Sequence, residues 1–465
     1  MKNAIKCIII AVGLFSFATM VLANSGPVFW QGYPSSEIML IEDNCPIEIK
    51  NENLVFDFSS FKGSDYTISS KVTAAYRMFN PTNEPQSVQM AFPFVGSLDS
   101  LVPEDIHITA DDSVLPYDVY VGDVVDSYGD PLQDDKKVSF DFAGIVSTIT
   151  DELYQGKNFP EDEKGKLYTV NVKPTTDQRI NFAVDFNFDD KKTKVLTKGF
   201  NRYERNDAKT KIAAWCYEPE TVEIFVLGED VELTINAYSD GELREKTDLL
   251  TYQISTQEIE IKPYLMKYIK NHTKVKNEGV ISDTQLYNLY AKALDKSFSY
   301  NMGYSSMDDL TAEEHYQRIL TIVYSVEFPE ISEKKVSVSY ITSGTMDKTE
   351  TAKPQYTFDY ILNPAEHWGD FKNLNVKIIT PQKAPYIIKS SIKLAKGENN
   401  TYTATLNDLP EDDLSFTLYE DEKISPVDQA LGKLQRSFGY FTLVMISAIA
   451  VIFVGVIALR RLCRR

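Results

Sequence analysis

The chain closes with "SFGYFTLVMISAIAVIFVGVIALRRLCRR", and between Phe438 and Leu459 no residue carries a charge. At 1.5 Å per residue those 22 positions extend about 33 Å as a helix, enough to cross a hydrocarbon core of about 30 Å. A helix buried inside a soluble body would show a polar stripe. This one has only Thr442 and Ser447, whose hydroxyls can return to the helix backbone. The run reads as a transmembrane helix. Everything else in the chain then has to be a body that folds on one side of a bilayer.

The amino terminus supplies the matching signal. "MKNAIKCIIIAVGLFSFATMVLANS" places Lys2 and Lys6 before an apolar stretch that exits through Val21, Leu22 and Ala23. A charged start, a greasy middle and a small-residue exit form a secretory signal, residues 1–23, cleaved after Ala23. The same run would also serve uncleaved as a second anchor. No cysteine follows it until Cys45, which excludes a lipoprotein signal. Arg460, Arg461, Arg464 and Arg465 follow the terminal helix, against Lys433 and Arg436 before it. Basic residues stay in the cytoplasm, so the expected arrangement is single-pass in the plasma membrane, body outside and tail 460–465 inside. Wall attachment would need an LPxTG-type pentapeptide; Leu409-Pro410-Glu411-Asp412-Asp413 lacks its Thr-Gly. Gly455 has Val451 and Leu459 four positions away, so the helix has no small-residue dimerisation motif.

Without the two signal lysines and four tail arginines, the displayed part holds 42 basic and 67 acidic residues, a net of −25. That sign repels nucleic acid, which is excluded as a partner. Cys45 and Cys216 are the two cysteines of the body. They form a disulfide, possible in an oxidising exterior, or remain two buried thiols.

Period-two alternation dominates the body. In "INFAVDFN", Ile180, Phe182, Val184 and Phe186 face one way, with Asn181, Asp185 and Asn187 opposite. Such stretches make antiparallel sheets with one wet face. The fold class expected is mainly β: two or three antiparallel β-sandwich domains with a helical insert, plus one C-terminal transmembrane helix. The β-rich N-terminal part spans 24–261. Helical periodicity takes over across 262–326: Pro263 opens one helix, Ser282 and Gln285 form a capping box before a second, and Thr311 with Glu314 caps a third, "TAEEHYQRILTIVY". Strand patterns return over 327–421, and 422–437 reads as a stalk.

"PVFWQGYPSSE" after the signal, and "AFPF" at the end of an early strand, resemble uncharacterised bacterial extracytoplasmic β-domain proteins with a signal peptide and one C-terminal transmembrane helix. The resemblance implies no activity and no cofactor.

Candidate chemistry is sparse. His107, His272, His315 and His367 stand apart, with no HExxH, HxH or CxxC spacing to build a zinc site. A turn at His367, Trp368 and Asp370 is the foremost site candidate; its plainer reading is a tryptophan plugging the end of a sheet pair. Asp123, Asp126, Asp130, Asp134 and Asp135 crowd one loop able to offer calcium oxygen ligands. They lack EF-hand spacing, and a solvated acidic loop is the favoured reading. No catalytic residue, cofactor or metal site is assigned. The expected role is binding, adhesion or envelope scaffolding by a membrane-anchored protein. The alternatives are an accessory ectodomain partnering a membrane transporter or sensor, and an envelope-polymer hydrolase.

Overall fold

The computed structural model describes residues 28–41, 45–59, 66–125, 142–272 and 279–438. The stretch expected as a secretory signal, Asp126 to Asp135 of the acidic loop, and the apolar run beyond Phe438 lie outside them. Among the described residues no helix is long and apolar enough to cross a membrane.

The chain is mainly β, built as several largely antiparallel sheets. Its largest sheet interleaves the two ends of the body. Strands Glu48–Asp57 and Ser69–Asn80 form one antiparallel hairpin. Ser69–Asn80 then pairs along its whole length with Ser332–Ser343, from Ser69 opposite Ser343 to Asn80 opposite Ser332. On its other side Glu48–Asp57 runs parallel to Leu374–Ile379. A boundary near residue 327 therefore does not separate two sheets, because strands from both sides of it share one. Their inward residues, among them Leu54, Phe56, Val72, Tyr76, Val336, Val338 and Ile378, belong to one large core.

Residues 164–260, joined by Tyr304, build a second core. Lys164–Pro174, Glu220–Gly228, Thr193–Lys198 and Leu250–Glu260 lie in one sheet, Ile180–Asn187 and Lys209–Cys216 in another. Val170, Val172, Ile224 and Val226 of the first meet Phe182, Val184, Ile212 and Ala214 of the second. Of the alternation expected of Ile180–Asn187 the inward face is realised, with Phe182, Val184 and Phe186 in this core, but the opposite face is only partly wet, Asn181 and Ala183 being buried. Cys216 is buried in this core, its thiol donating to Glu218 O at 3.0 Å. Cys45 packs on the large core. Cys45 and Cys216 belong to different cores and are not bonded to each other, so of the two readings the disulfide between them is the one set aside.

Two of the three expected helices form. Ile261–His272 carries Pro263 in its first turn, where a missing N–H is harmless. Asp283–Tyr300 is capped as the sequence suggests, Ser282 Oγ accepting from Gln285 N at 3.2 Å. The third does not extend beyond a short turn at Thr311–Glu314, and Arg318–Phe328 is a strand. It lies between Gln86–Gly96 and Asp118–Val124, hydrogen-bonded on both sides. Its β-branched run Ile319, Thr321, Ile322, Val323 suits that pleated, doubly paired position better than a helix.

The segment expected as a stalk contains a helix, Pro426–Phe438, that docks on the body. Asp428 accepts hydrogen bonds from Lys353 N at 3.1 Å and from Tyr419 OH, while Ala352 N donates to Asp428 O at 3.2 Å. At Gly432 a Cβ would lie 2.5 Å from the Thr351 backbone, so the helix approaches as closely as it does because that side chain is missing.

Helix Asp283–Tyr300 is held by one buried carboxylate. Asp295 accepts from Tyr154 OH at 2.8 Å, Lys157 N at 3.0 Å and Asn158 N at 2.8 Å. Burial would raise its pKa, but the hydrogen bonds from Lys157, Tyr154 and Asn158 outweigh it and hold the carboxyl below its ordinary value. Asp295→Ala leaves those donors unpaired, and should cost about 2–4 kcal/mol in urea unfolding followed by tryptophan fluorescence. A loss below about 0.5 kcal/mol would show that loop 154–158 does not depend on the carboxylate.

Candidate functional site

Residues 28–41 cross the body as a strap pairing with three strands in two sheets. Phe29 and Trp30 pair antiparallel with Asp347 and Met346. Ser35 and Ser36 run parallel to Tyr360 and Ile361, and Met39 and Leu40 pair with Ala91 and Met90. Gly32 permits the first crossing, since a Cβ there would stand 2.4 Å from Thr345 N.

The strap carries a carboxylate into the core. Glu37 and Glu52 are both 0 % exposed. Glu37 accepts hydrogen bonds from Tyr76 OH, from Ile38 N at 3.1 Å and from Tyr360 OH at 3.4 Å. Burial lifts the Glu37 carboxyl to about 7, against the downward pull of those donors and of Glu52. Burial, and then the charge of Glu37, push Glu52 well above the ordinary range. Neither Glu52 oxygen accepts a hydrogen bond from another group. Both carboxyls are thus held toward their protonated forms, and the two titrate as a pair. Burial and the same Glu37 charge also raise the nearby Tyr324 hydroxyl.

Outside this cluster, beneath the first half of the strap, opens a cleft of about 1100 Å³. Phe29, Trp30 and Tyr33 come from the strap, Phe94 from the end of strand Gln86–Gly96, and Tyr340 from strand Ser332–Ser343. The polar lining comprises chiefly Gln31, Ser97, Asp99, Ser100, Asp105, His315 and Gln317. Among the described residues no lysine or arginine lines it. His315 Nδ1 lies 2.7 Å from Asp99 Oδ2, and Ser97 Oγ donates to Asp99 Oδ1 at 2.6 Å. Partial burial alone would raise the Asp99 pKa; Ser97 and His315 bring it below the ordinary value. The order of contacts is serine to aspartate to histidine. A nucleophilic triad needs the histidine in the middle, taking the serine proton, and here the hydroxyl proton points at a carboxylate instead. The geometry suits holding a ligand more than attacking one.

The turn singled out in the sequence does not line this cleft. His367 is exposed at the end of a short turn, Asn363–His367. Trp368 is buried, its Nε1 donating to Ile38 O at 3.5 Å, so it anchors the strap. Asp370 pairs with Lys372, whose hydrogen bond, against slight burial, lowers the aspartate pKa. Of the other histidines, His107 is an exposed strand residue and His272 stacks on Tyr268 at 4.2 Å. His315 is the one the fold brings to the cleft. The signal available in the sequence was the aromatic run Phe29 to Tyr33, quoted above for its resemblance and not for its chemistry. Asp123, the described member of the acidic loop, lies within strand Asp118–Val124, one residue before its end.

No protein-family model matches the chain, and no curated protein sequence matches it. Among solved structures, a Legionella pneumophila protein described as a candidate nutrient-binding protein is similar over 89% of this chain and 86% of its own. The identity is 10% and the TM-score 0.34. A likeness of that size carries no argument about this chain.

The Glu37 carboxyl gives a pH signature. Its folded pKa, about 7, exceeds the ordinary 4.5, so the folded state holds this proton more tightly than the unfolded chain. Stability from this group is greatest below about pH 4.5, falls as pH rises to about 7, and then levels. Glu37→Gln should flatten that fall and gain on the order of 2–3 kcal/mol over wild type at pH 8 relative to pH 4.5. Chemical unfolding across that range checks it; a wild-type minus variant difference that stays constant with pH would refute the buried titration.

Proposed function

We propose that this chain is a membrane-anchored extracytoplasmic binding protein whose cleft takes an organic cation with an apolar body. The cleft is the observation that supports this most. Its rings Phe29, Trp30, Tyr33 and Phe94 offer apolar area and π-faces. Asp99 and Asp105 offer negative charge; His315 is held by Asp99, and no lysine or arginine is among the described lining residues to recruit an anion. The net charge of −25 on the displayed part favours the same sign of ligand.

The secretory signal 1–23 and the apolar run 438–459 support the location: body outside, tail 460–465 in the cytoplasm. In this reading the architecture is two facing-sheet units, one for each core, with the helices packed as an insert. Helix Pro426–Phe438, docked through Asp428 and Gly432, would hold the body at a fixed attitude over the membrane. That contact favours, as a second reading, an accessory ectodomain that presents its cleft to an integral membrane partner.

The test is a screen of aromatic and alkyl amines with matched neutral and carboxylate analogues on the full-length protein in lipid nanodiscs. Thermal shift and tryptophan fluorescence are the readouts. Cations should predominate among the ligands, and Trp30→Ala and Asp99→Asn should each weaken them roughly tenfold, about 1.4 kcal/mol. Carboxylates binding best, or binding indifferent to Trp30 and Asp99, would overturn the assignment.

A further inference from the structure

Strand Leu250–Glu260 pairs over its full length with Lys164–Pro174, from Leu250 opposite Pro174 to Glu260 opposite Lys164, with no break in register. It ends its sheet, and no other described strand lies along its second side. Its ends are anchored, Leu250 on the second core and Ile259 on the large one. Between them residues 251–258 are exposed throughout, Tyr252 at 52 % and Ile254 at 38 %. This is a long row of outward backbone donors and acceptors.

Proteins blunt such edges with lysine, proline, bulges or a covering segment. The outer strand of the facing sheet, Arg202–Asn206, follows that rule with Arg202, Glu204 and Arg205 in five residues. Leu250–Glu260 has no lysine, arginine, proline or bulge. From Leu250 to Gln257 it has no charge at all, in a displayed part with net −25. An uncharged window on an acidic body is where two such bodies can approach without repulsion.

The sequence of the strand also fits itself. Laid antiparallel on a second copy, with Ser255 on the two-fold axis, Ile254 meets Thr256, Gln253 meets Gln257 and Tyr252 meets Glu258. Glu260 meets Leu250, so both acids face uncharged residues. A parallel, in-register pairing would instead set Glu258 and Glu260 against their own copies. We propose that this edge pairs with the same edge of a second copy, joining two five-stranded sheets into one across an isologous interface.

The experiment uses full-length protein in its native membranes, with Cys463→Ser in every variant. Ser255→Cys should form a disulfide dimer on mild oxidation, several-fold more than Glu398→Cys, an exposed site elsewhere. Tyr252→Cys should not, because the two equivalent positions would lie about 20 Å apart along the strands; adding Glu258→Cys should restore the crosslink. Ile254→Lys with Thr256→Lys should remove the Ser255→Cys dimer, and Ile254→Lys with Thr256→Glu should retain it. All these positions are exposed, and an unchanged melting temperature confirms that each variant folds. Three results overturn the proposal: equal crosslinking at Ser255 and Glu398, a dimer from Tyr252→Cys alone, or a product whose mass is not twice the chain. The last would mean that a foreign strand occupies the edge.

Discussion

The docking of Glu37 is the contact on which the rest of the large core depends. One glutamate on a short strap places its carboxyl between Tyr76 and Tyr360 and beside Glu52. These groups come from strands belonging to the two ends of the body. Burying a carboxyl is expensive, and the fold lowers that cost with hydroxyl and amide donors to Glu37. The same crossing sets the strap's first half over open space. Trp30 and Tyr33 are held above a void because Ser35, Ser36 and Glu37 are fixed behind them. The cleft is therefore a consequence of how the strap is pinned.

Local patterns in the sequence correspond to local structure where the pattern is strong. Ile180–Asn187 is a strand with the inward face expected, and Ser282 caps the helix it should. Arg318–Phe328 shows where that logic ends. The apparent cap at Thr311 and the apolar spacing after it suggest a helix, but two neighbouring strands offer this segment hydrogen bonds along both sides. A segment whose partners lie some 200 residues away in sequence cannot announce them by its own period.

The candidate site was less legible still. His315 meets Asp99 across 216 residues, and Thr345 meets Gly32 across 313. Neither contact leaves a spacing motif. His367 and Trp368 stood out because they are adjacent and chemically distinctive, yet His367 is exposed and Trp368 serves packing, reaching the Ile38 carbonyl on the strap. Adjacency in the sequence selected a residue that supports the site in place of those that line it.

The cleft and the open edge belong to different parts of the body, and one five-stranded sheet reaches both cores. Lys164–Pro174 and Leu250–Glu260 run side by side from the large core to the second, with Leu167 and Ile259 at one end and Val172 and Leu250 at the other. Glu220–Gly228 holds Lys164–Pro174 on its far side, whereas Leu250–Glu260 is paired on one side and exposed from 251 to 258. Extending the sheet with further strands would stiffen that outer strand. Pairing at the edge would thereby act on the scaffold between the cores while leaving the cleft lining untouched, so ligand contact and self-association can be tuned by separate substitutions in one chain.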